Sequence, residues 1–437
     1  MMHKPIIPGG SSLHANIGNR WHILGNRILL SNRYSLIIAI SLAIIIPEII
    51  HNFVLGGGRL FDRGPSGCES SLIGALIALL ASHLSLRNLG NLPLVTHKVI
   101  IIPTFLASYS IVIVTLIALR IPIDPFHFWT SFVGSIGVYV GLSMLRVRKV
   151  RPVIGLVGLQ PGFHGDLPDT IRWLTLAEPR LHRPVNAVVV DPHTKLDVDW
   201  SRFLTELVLS GMPVYHRGHL EEGLTGRVVF RNYAENNFGA LLPSSVYARL
   251  KRIIDLISLL ILSPFIICII MLAAVAIRIE GRGPIFYRQM RRGFRGRQFK
   301  CYKLRTMSAV VSGPSYTRTN DERITRTGSF LRKWRVDELP QALNILRGEM
   351  SWIGPRPEAL ELASMYEREV PFYDYRHAVM PGISGWAAVN QGNVALTEAA
   401  KLKLEYDFYY IKYFSFWLDF LILIKTVQTI FSGFGSK

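Results

Sequence analysis

"ARLKRIIDLISLLILSPFIICIIMLAAVAIRIEGRG", Ala248–Gly283, sets how this chain is divided between lipid and water. Its apolar run, Ile253–Ile277, is long enough to cross a bilayer, which takes about 20 residues. Yet Arg249, Lys251 and Arg252 precede the run, and Arg278, Arg282, Arg288, Arg291 and Arg292 follow it. Cations mark the cytoplasmic side of a membrane, so both ends belong there. Pro264 sits mid-run, where it removes an intrahelical hydrogen bond and kinks the chain. Ser263 beside it can satisfy a freed backbone group. The stretch therefore reads as a re-entrant membrane helix over 249–280, a helix–break–helix with its break at Ser263 and Pro264. An ordinary kinked span is the alternative that periodicity favours.

The rest of the composition fits a membrane protein. The 437 residues carry a net charge of +19, 49% are hydrophobic, and mean hydropathy is +0.29. A basic and apolar chain suits a cytoplasmic membrane face, and no nucleic-acid partner is expected. Residues 1–35 form a basic cytoplasmic segment without a signal-peptide pattern. Residues 36–148 hold four apolar stretches: Leu36–Leu55, Ser71–Leu86, Val99–Leu119 and Phe128–Leu145. The second is short and carries His83. Cations before the first stretch (Lys4, Arg20, Arg27, Arg33), between the second and third (Arg87, Lys98) and after the fourth (Arg146, Arg148, Lys149, Arg151) agree on a cytoplasmic N-terminus. Cys68, Cys268 and Cys301 are too widely spaced to suggest a disulfide framework or a zinc site.

Residues 149–248 read as a soluble, Rossmann-like α/β domain. "PVIGLVGL", "NAVVVD" and "MPVYH" look like buried strands, and "SRFLTELVLSG" like a helix between them. Gly155, Gly158, Gly162 and Gly165 do not fit the dinucleotide fingerprint, and Pro161 interrupts them. A regulatory or assembly role is expected.

The chemistry should lie in residues 281–437, expected as a mixed, mainly α domain. "GPIFYRQMRRGFRGRQFKCYKLRTM" reads as strand, basic turn and strand, with Lys303 and Arg305 on one strand face. Paired cations suit a diphosphate, which arginine can bind bidentately. In "LRKWRVDELPQALN", Leu331–Asn344, Asp337 and Glu338 stand at what looks like a helix start, with Arg332, Lys333 and Arg335 before them. Pro340 fits the first turn and Gly348 the helix end. A helix N-terminus favours anions. Arg356, between two prolines in "GPRPE", presents one guanidinium rigidly. "PGISGWAAVNQGN" has the glycines of a mobile loop, and the aromatic-rich C-terminal helices read as either interfacial or buried.

"RVDELPQALNILRGEMSWIGPRPE", with "IFYRQMRRG", "YKLRTM", "PGISGWAAVNQG" and "YDFYYIKYFSFWLDFLILIKT", resembles the core of the bacterial sugar transferases called monotopic phosphoglycosyl transferases. The resemblance covers about residues 249–437, and the preceding regions resemble the large polyisoprenyl-phosphate hexose-1-phosphate transferase subgroup. It departs at Ala388, where a glutamine is common, and at Gln391 before the glycine. The resemblance implies transfer of hexose 1-phosphate from a UDP-hexose to undecaprenyl phosphate, releasing UMP, as the first membrane step of exopolysaccharide, capsule or O-antigen synthesis at the bacterial inner membrane. Glucose is expected ahead of galactose. It further implies Asp337 as nucleophile, Glu338 as its support, Lys303, Arg305, Arg332 and Arg356 on the phosphates, and Mg²⁺ shared between Asp337 and those phosphates. Contacts with membrane lipids and a homodimer are expected. A catalytically inactive scaffold of polysaccharide assembly is the alternative.

Overall fold

The computed structural model describes residues 32–54, 67–90, 92, 97–147, 153–158, 171–191, 194, 196–229, 243–308, 321–391 and 397–433. It falls into two compact units, one ending at Val150 and one beginning, apart from 91–94, at Arg151.

The first unit is a helical bundle. Helix α1 (Asn32–Ile40) passes through a π turn (Ser41–Ile45) into α2 (Ile46–Val54), followed by α3 (Cys68–Leu89), α4 (His97–Ala118) and α5 (Pro125–Val147). Inside lie small residues and hydrogen-bonded polar groups such as Ser82 and Thr104, as lipid-embedded helices require. A Cβ on Gly134 of α5 would come within 3.2 Å of Ala43, at the π turn. His83, the doubtful residue of the second stretch, pairs through Nδ1 with the Tyr139 hydroxyl at 2.7 Å. Tyr109 shares a 2.8 Å hydrogen bond with Ser131. Ile111, Val114, Ile117 and Val133 are exposed, an outer surface suited to lipid.

The second unit begins with a four-stranded parallel sheet of order β2-β1-β3-β4: β1 (Val153–Val157), β2 (Arg172–Thr175), β3 (Ala187–Val190) and β4 (Val214–His216). Both faces are covered, so the inner strands are near-continuous apolar runs. Helix α6 (Val198–Leu209) packs Trp200, Phe203 and Leu204 on one face. Leu220 of α7 (Arg217–Thr225) packs on the other. The half-exposed β2 has no such run and was not expected. Gly162, Gly165 and Pro161 lie outside the described residues.

The expected helix–break–helix is one continuous 36-residue helix, α8 (Ser245–Glu280). Pro264 cannot donate to the Leu260 carbonyl, and the Ser263 hydroxyl donates to it instead at 2.8 Å. The helix thus runs through its proline. Its inner stripe packs on the domain that follows: Leu259 and Ile266 meet Phe299, Cys301, Ile345 and Met350, and farther along Ala273 and Ile277 meet Leu304 and Leu331. Its outer stripe, including Leu260, Ile261, Phe265, Met271 and Leu272, is exposed.

Strands β5 (Phe286–Arg292) and β6 (Gln298–Leu304) form the expected antiparallel hairpin. Helix α9 (Arg326–Lys333), a 3₁₀ turn (Val336–Gln341) and α10 (Ala342–Arg347) follow, ending at Gly348 with φ +77°. Next come β7 (Ser351–Ile353), α11 (Leu360–Glu369), β8 (Gly382–Ser384), α12 (Trp386–Asn390), α13 (Thr397–Lys412) and α14 (Phe416–Ser432). The "PGISG" glycines belong to packed backbone rather than a loop: β8 pairs with β7, and a Cβ on Gly382 would lie 2.1 Å from the Gly354 nitrogen. Trp386 is fully buried. Helix α14 buries Leu418, Leu421 and Ile422 and exposes Leu423, Val427 and Phe431.

Candidate active site

Asp337 and Glu338 lie in the 3₁₀ turn, 8% and 5% exposed. Arg335 enters that turn in the left-handed region, at φ +53°. Neither the turn nor the six-residue α10 carries a side-chain cap, so cations, not a helix end, hold the acids.

Glu338 is the anchor of that cation cluster. Its Oε1 accepts from Lys303 Nζ at 3.0 Å. Arg356 donates to both of its oxygens, with Nη1 3.3 Å from Oε2. Arg335 Nη1 stands 3.8 Å from Oε2. These cations hold the Glu338 carboxyl well below the usual range, Arg356 foremost, against the penalty of burial. Asp337 has the opposite setting. Among the described residues its carboxylate makes no hydrogen bond or ion pair, and burial and the Glu338 charge push its pKa up to about 6. Lys303, Arg356 and Arg332 partly counter that rise. Two adjacent carboxylates are therefore split into one pinned charge and one exchangeable one.

Three supports fix the cations. Lys303 comes from β6, clipped to α10 by Asn344: Oδ1 accepts from Tyr302 N at 3.2 Å and Nδ2 donates to Lys300 O at 2.7 Å. Arg332 donates through Nε to Thr306 Oγ1 at 2.9 Å. That approach needs Gly328, where a Cβ would lie 2.1 Å from the Thr306 carbonyl. Arg356 also donates to Ile383 O at 3.1 Å, and its own carbonyl accepts from Arg376 at 2.9 Å. Arg376 is buried on Asp407 at 2.8 Å, beside a Lys403–Glu358 pair. Sequence reading missed Arg376, Asp407, Glu358 and Lys403 as a group, because 45 residues separate Glu358 from Lys403.

Arg305 stands apart from its expected partners. It donates to the carbonyls of Arg282 at 2.9 Å, Gly281 at 2.8 Å and Ile277 at 3.3 Å, closing the C-terminal end of α8. Arg305→Gln should therefore lower thermal stability by about 1–3 kcal/mol while leaving the KM for nucleotide sugar nearly unchanged. A raised KM at unchanged stability would return Arg305 to the phosphate site.

For Mg²⁺ the fit is narrow but sufficient. The Glu338 oxygens are engaged by cations, whereas the Asp337 carboxylate is available. Mg²⁺ commonly takes one or two carboxylates and fills its shell with water and substrate phosphate oxygens.

Residues 246–433 match the family described as bacterial sugar transferase. The UDP-N-acetylgalactosamine-undecaprenyl-phosphate N-acetylgalactosaminephosphotransferase of Aeromonas hydrophila is 36% identical over 426 residues, 96% of this chain and 98% of that protein. The UDP-glucose:undecaprenyl-phosphate glucose-1-phosphate transferase of Escherichia coli K12 is 38% identical over 202 residues, 44% of this chain and 42% of that protein. The protein of the same description from Caulobacter vibrioides is 37% identical over 196 residues, 44% of this chain and 73% of its own length. The chain belongs to the bacterial sugar transferase family and is a phosphoglycosyl transferase. Among the described residues four helices, α3, α4, α5 and α8, are long and apolar enough to cross a bilayer, which marks the chain as a membrane protein, while the first expected stretch forms a shorter apolar helix over Tyr34–Ile50.

Proposed function

We propose that this chain transfers a sugar 1-phosphate from a UDP-sugar to undecaprenyl phosphate through a covalent intermediate on Asp337. The observation that carries the reading is the split pair: a buried Asp337 that makes no hydrogen bond or ion pair among the described residues, beside a Glu338 saturated by Lys303, Arg335 and Arg356. An Asp337 oxygen attacks the phosphorus bearing the sugar. The bond to the second phosphorus breaks, and UMP leaves with the bridging oxygen. An oxygen of the lipid phosphate then attacks the same phosphorus and frees the carboxylate, giving undecaprenyl-diphosphate-sugar. Lys303, Arg332 and Arg356 surround the charge that develops, and Glu338 keeps Lys303 and Arg356 aimed. Mg²⁺, when bound, supplies further neutralisation of the diphosphate.

The sugar divides two readings. Glucose is the expectation from the motifs, and the glucose transferases match over the catalytic segment. The relative aligned along nearly the whole chain acts on UDP-N-acetylgalactosamine, which favours that sugar as the second reading. Enzyme in nanodiscs given each UDP-sugar without lipid should release up to about one UMP per chain with its true substrate only. No release with any sugar until lipid is added would reject the covalent route. No release under either condition would favour an inactive scaffold.

The re-entrant reading of α8 is supported by where the catalytic domain holds it. Near the start, Lys251 pairs with Asp419 at 2.6 Å and Trp352 Nε1 donates to Ser258 at 2.9 Å. At the end, Arg305 holds the Ile277 and Gly281 carbonyls and Glu280 accepts from Thr327 N at 3.1 Å. A crossing helix would put these anchors on opposite sides of the bilayer, with polar side chains of one folded domain needed at both. Cysteines placed at Arg249 and Arg282 should both resist an impermeant periplasmic reagent. Labelling of one alone would establish a crossing.

A further inference from the structure

We propose that the helical bundle carries a zinc site made by Glu48, Cys68 and His127. It brings together the first turn of α2, which carries Glu48, the start of α3, which carries Cys68, and the first turn of α5, which carries His127, all remote in sequence from the transferase residues. The proposal is independent of the chemistry assigned to Asp337. Cysteine spacing alone argues against zinc, but the fold supplies the other ligands from other helices.

The three ligating atoms lie within 4.8 Å of one another. Cys68 Sγ stands 3.8 Å from His127 Nε2 and 3.9 Å from Glu48 Oε2. Tetrahedral zinc with sulfur, nitrogen and oxygen ligands has edges of about 3.4–3.6 Å. Those two edges need to shrink only slightly. The third, His127 Nε2 to Glu48 Oε2, is a 2.7 Å contact that must open. Zinc would enter between those two atoms, and water would take the fourth position.

The histidine is also prepared in the manner of a metal ligand. Its ring is 2% exposed, and Nδ1 lies 2.6 Å from Asp124 Oδ2, which leaves Nε2 directed at the other two ligands. A carboxylate behind a ligating imidazole fixes the tautomer and raises basicity. Asp124 is itself pinned: its N–H donates to Ser71 Oγ at 2.7 Å. Gly67, at φ +108°, lets the start of α3 lie against that same loop, where a Cβ would meet the Pro122 carbonyl at 2.9 Å. A thiolate, a carboxylate and a neutral imidazole together neutralise a divalent cation. The thiol–imidazole pair selects zinc over magnesium or calcium.

The test uses the full chain in nanodiscs, stripped with chelator, equilibrated with zinc and freed of excess metal. Elemental analysis should find about one zinc per chain in wild type, and little in Cys68→Ser or His127→Gln. Asp124→Asn should weaken zinc affinity about 10–100-fold without changing the limiting stoichiometry. With cobalt in place of zinc, wild type should show a thiolate charge-transfer band that Cys68→Ser lacks. Equal zinc in wild type and the Cys68→Ser/His127→Gln double variant would overturn the proposal, leaving a hydrogen-bonded polar cluster. So would absence of the cobalt band in wild type, a result that does not depend on any variant folding.

Discussion

Asp337→Asn should lower turnover by at least about 10³-fold and at the same time make the protein more stable at neutral pH. The activity loss follows from the proposed role of Asp337 as nucleophile. The amide has no charge and forms no phosphosugar, so neither lipid-independent UMP release nor an adduct on the Asp337 peptide should be found. The stability gain follows from burial. The folded protein raises the Asp337 pKa from 3.8 to about 6, a difference equivalent to about 3 kcal/mol. A raised pKa means its contribution is fully present below pH 3.8 and is lost as pH rises through about 6. At pH 7.5 the ionised carboxylate is therefore a burden that asparagine lacks. Melting temperature in nanodiscs should be higher for the variant at pH 7.5, with the gap closing toward pH 4. Wild-type kcat/KM should fall below pH of about 6 as Asp337 gains its proton. A variant less stable than wild type at pH 7.5 would refute the charge assignment even if activity is lost.

Glu338→Gln should do the reverse to stability. Its carboxyl is held well below the usual range by Arg356, Lys303 and Arg335. Removing that charge leaves three half-buried cations without the carboxylate they share. Losing one partner of a buried ion pair costs about 3–5 kcal/mol. A depressed pKa gives stability that is present above 4.5 and lost only as pH falls through the folded value. The deficit of the glutamine variant should therefore be full at pH 7 and shrink only in strong acid. Turnover should fall too, because Lys303 and Arg356 lose their aim. Unchanged melting with lost activity would instead make Glu338 a direct participant in proton transfer. Neighbouring carboxylates with opposite effects on melting are a signature that capping acids at a helix start would not give.

Short-range patterns carried most of what could be read in the sequence. The apolar stretches, the β5–β6 hairpin and the Gly348 helix end each follow from local chemistry, and each is present. Asp337, Glu338, Lys303 and Arg356 come together as the motifs suggested. What stayed hidden depends on contacts between distant segments. Arg305 alternates with Lys303 along β6, but only the position of α8 shows that it meets helix carbonyls. The glycines of "PGISG" read as freedom, and only the crossing at Gly354 shows them to be forced by close backbone contact. Strand β2 lacks an apolar run as a half-exposed strand at one sheet edge, and β4 at the other edge is also largely exposed rather than the buried strand that "MPVYH" suggested.

The buried indole of Trp386 donates to the carbonyl of Gly226 at 2.8 Å, just beyond the last helix of the parallel-sheet region. Glu222 takes Lys412 and the Tyr413 hydroxyl, each at 2.8 Å, and Val228 N donates to Glu405 O. A fragment cut to begin at Ser245 would keep every residue named in the phosphate chemistry, yet it would strip the Trp386 N–H of its acceptor and Lys412 of its counter-charge. Anyone trimming this enzyme to a minimal soluble piece, or grafting its catalytic half onto another membrane anchor, must carry residues 221–229 along as part of the catalytic body.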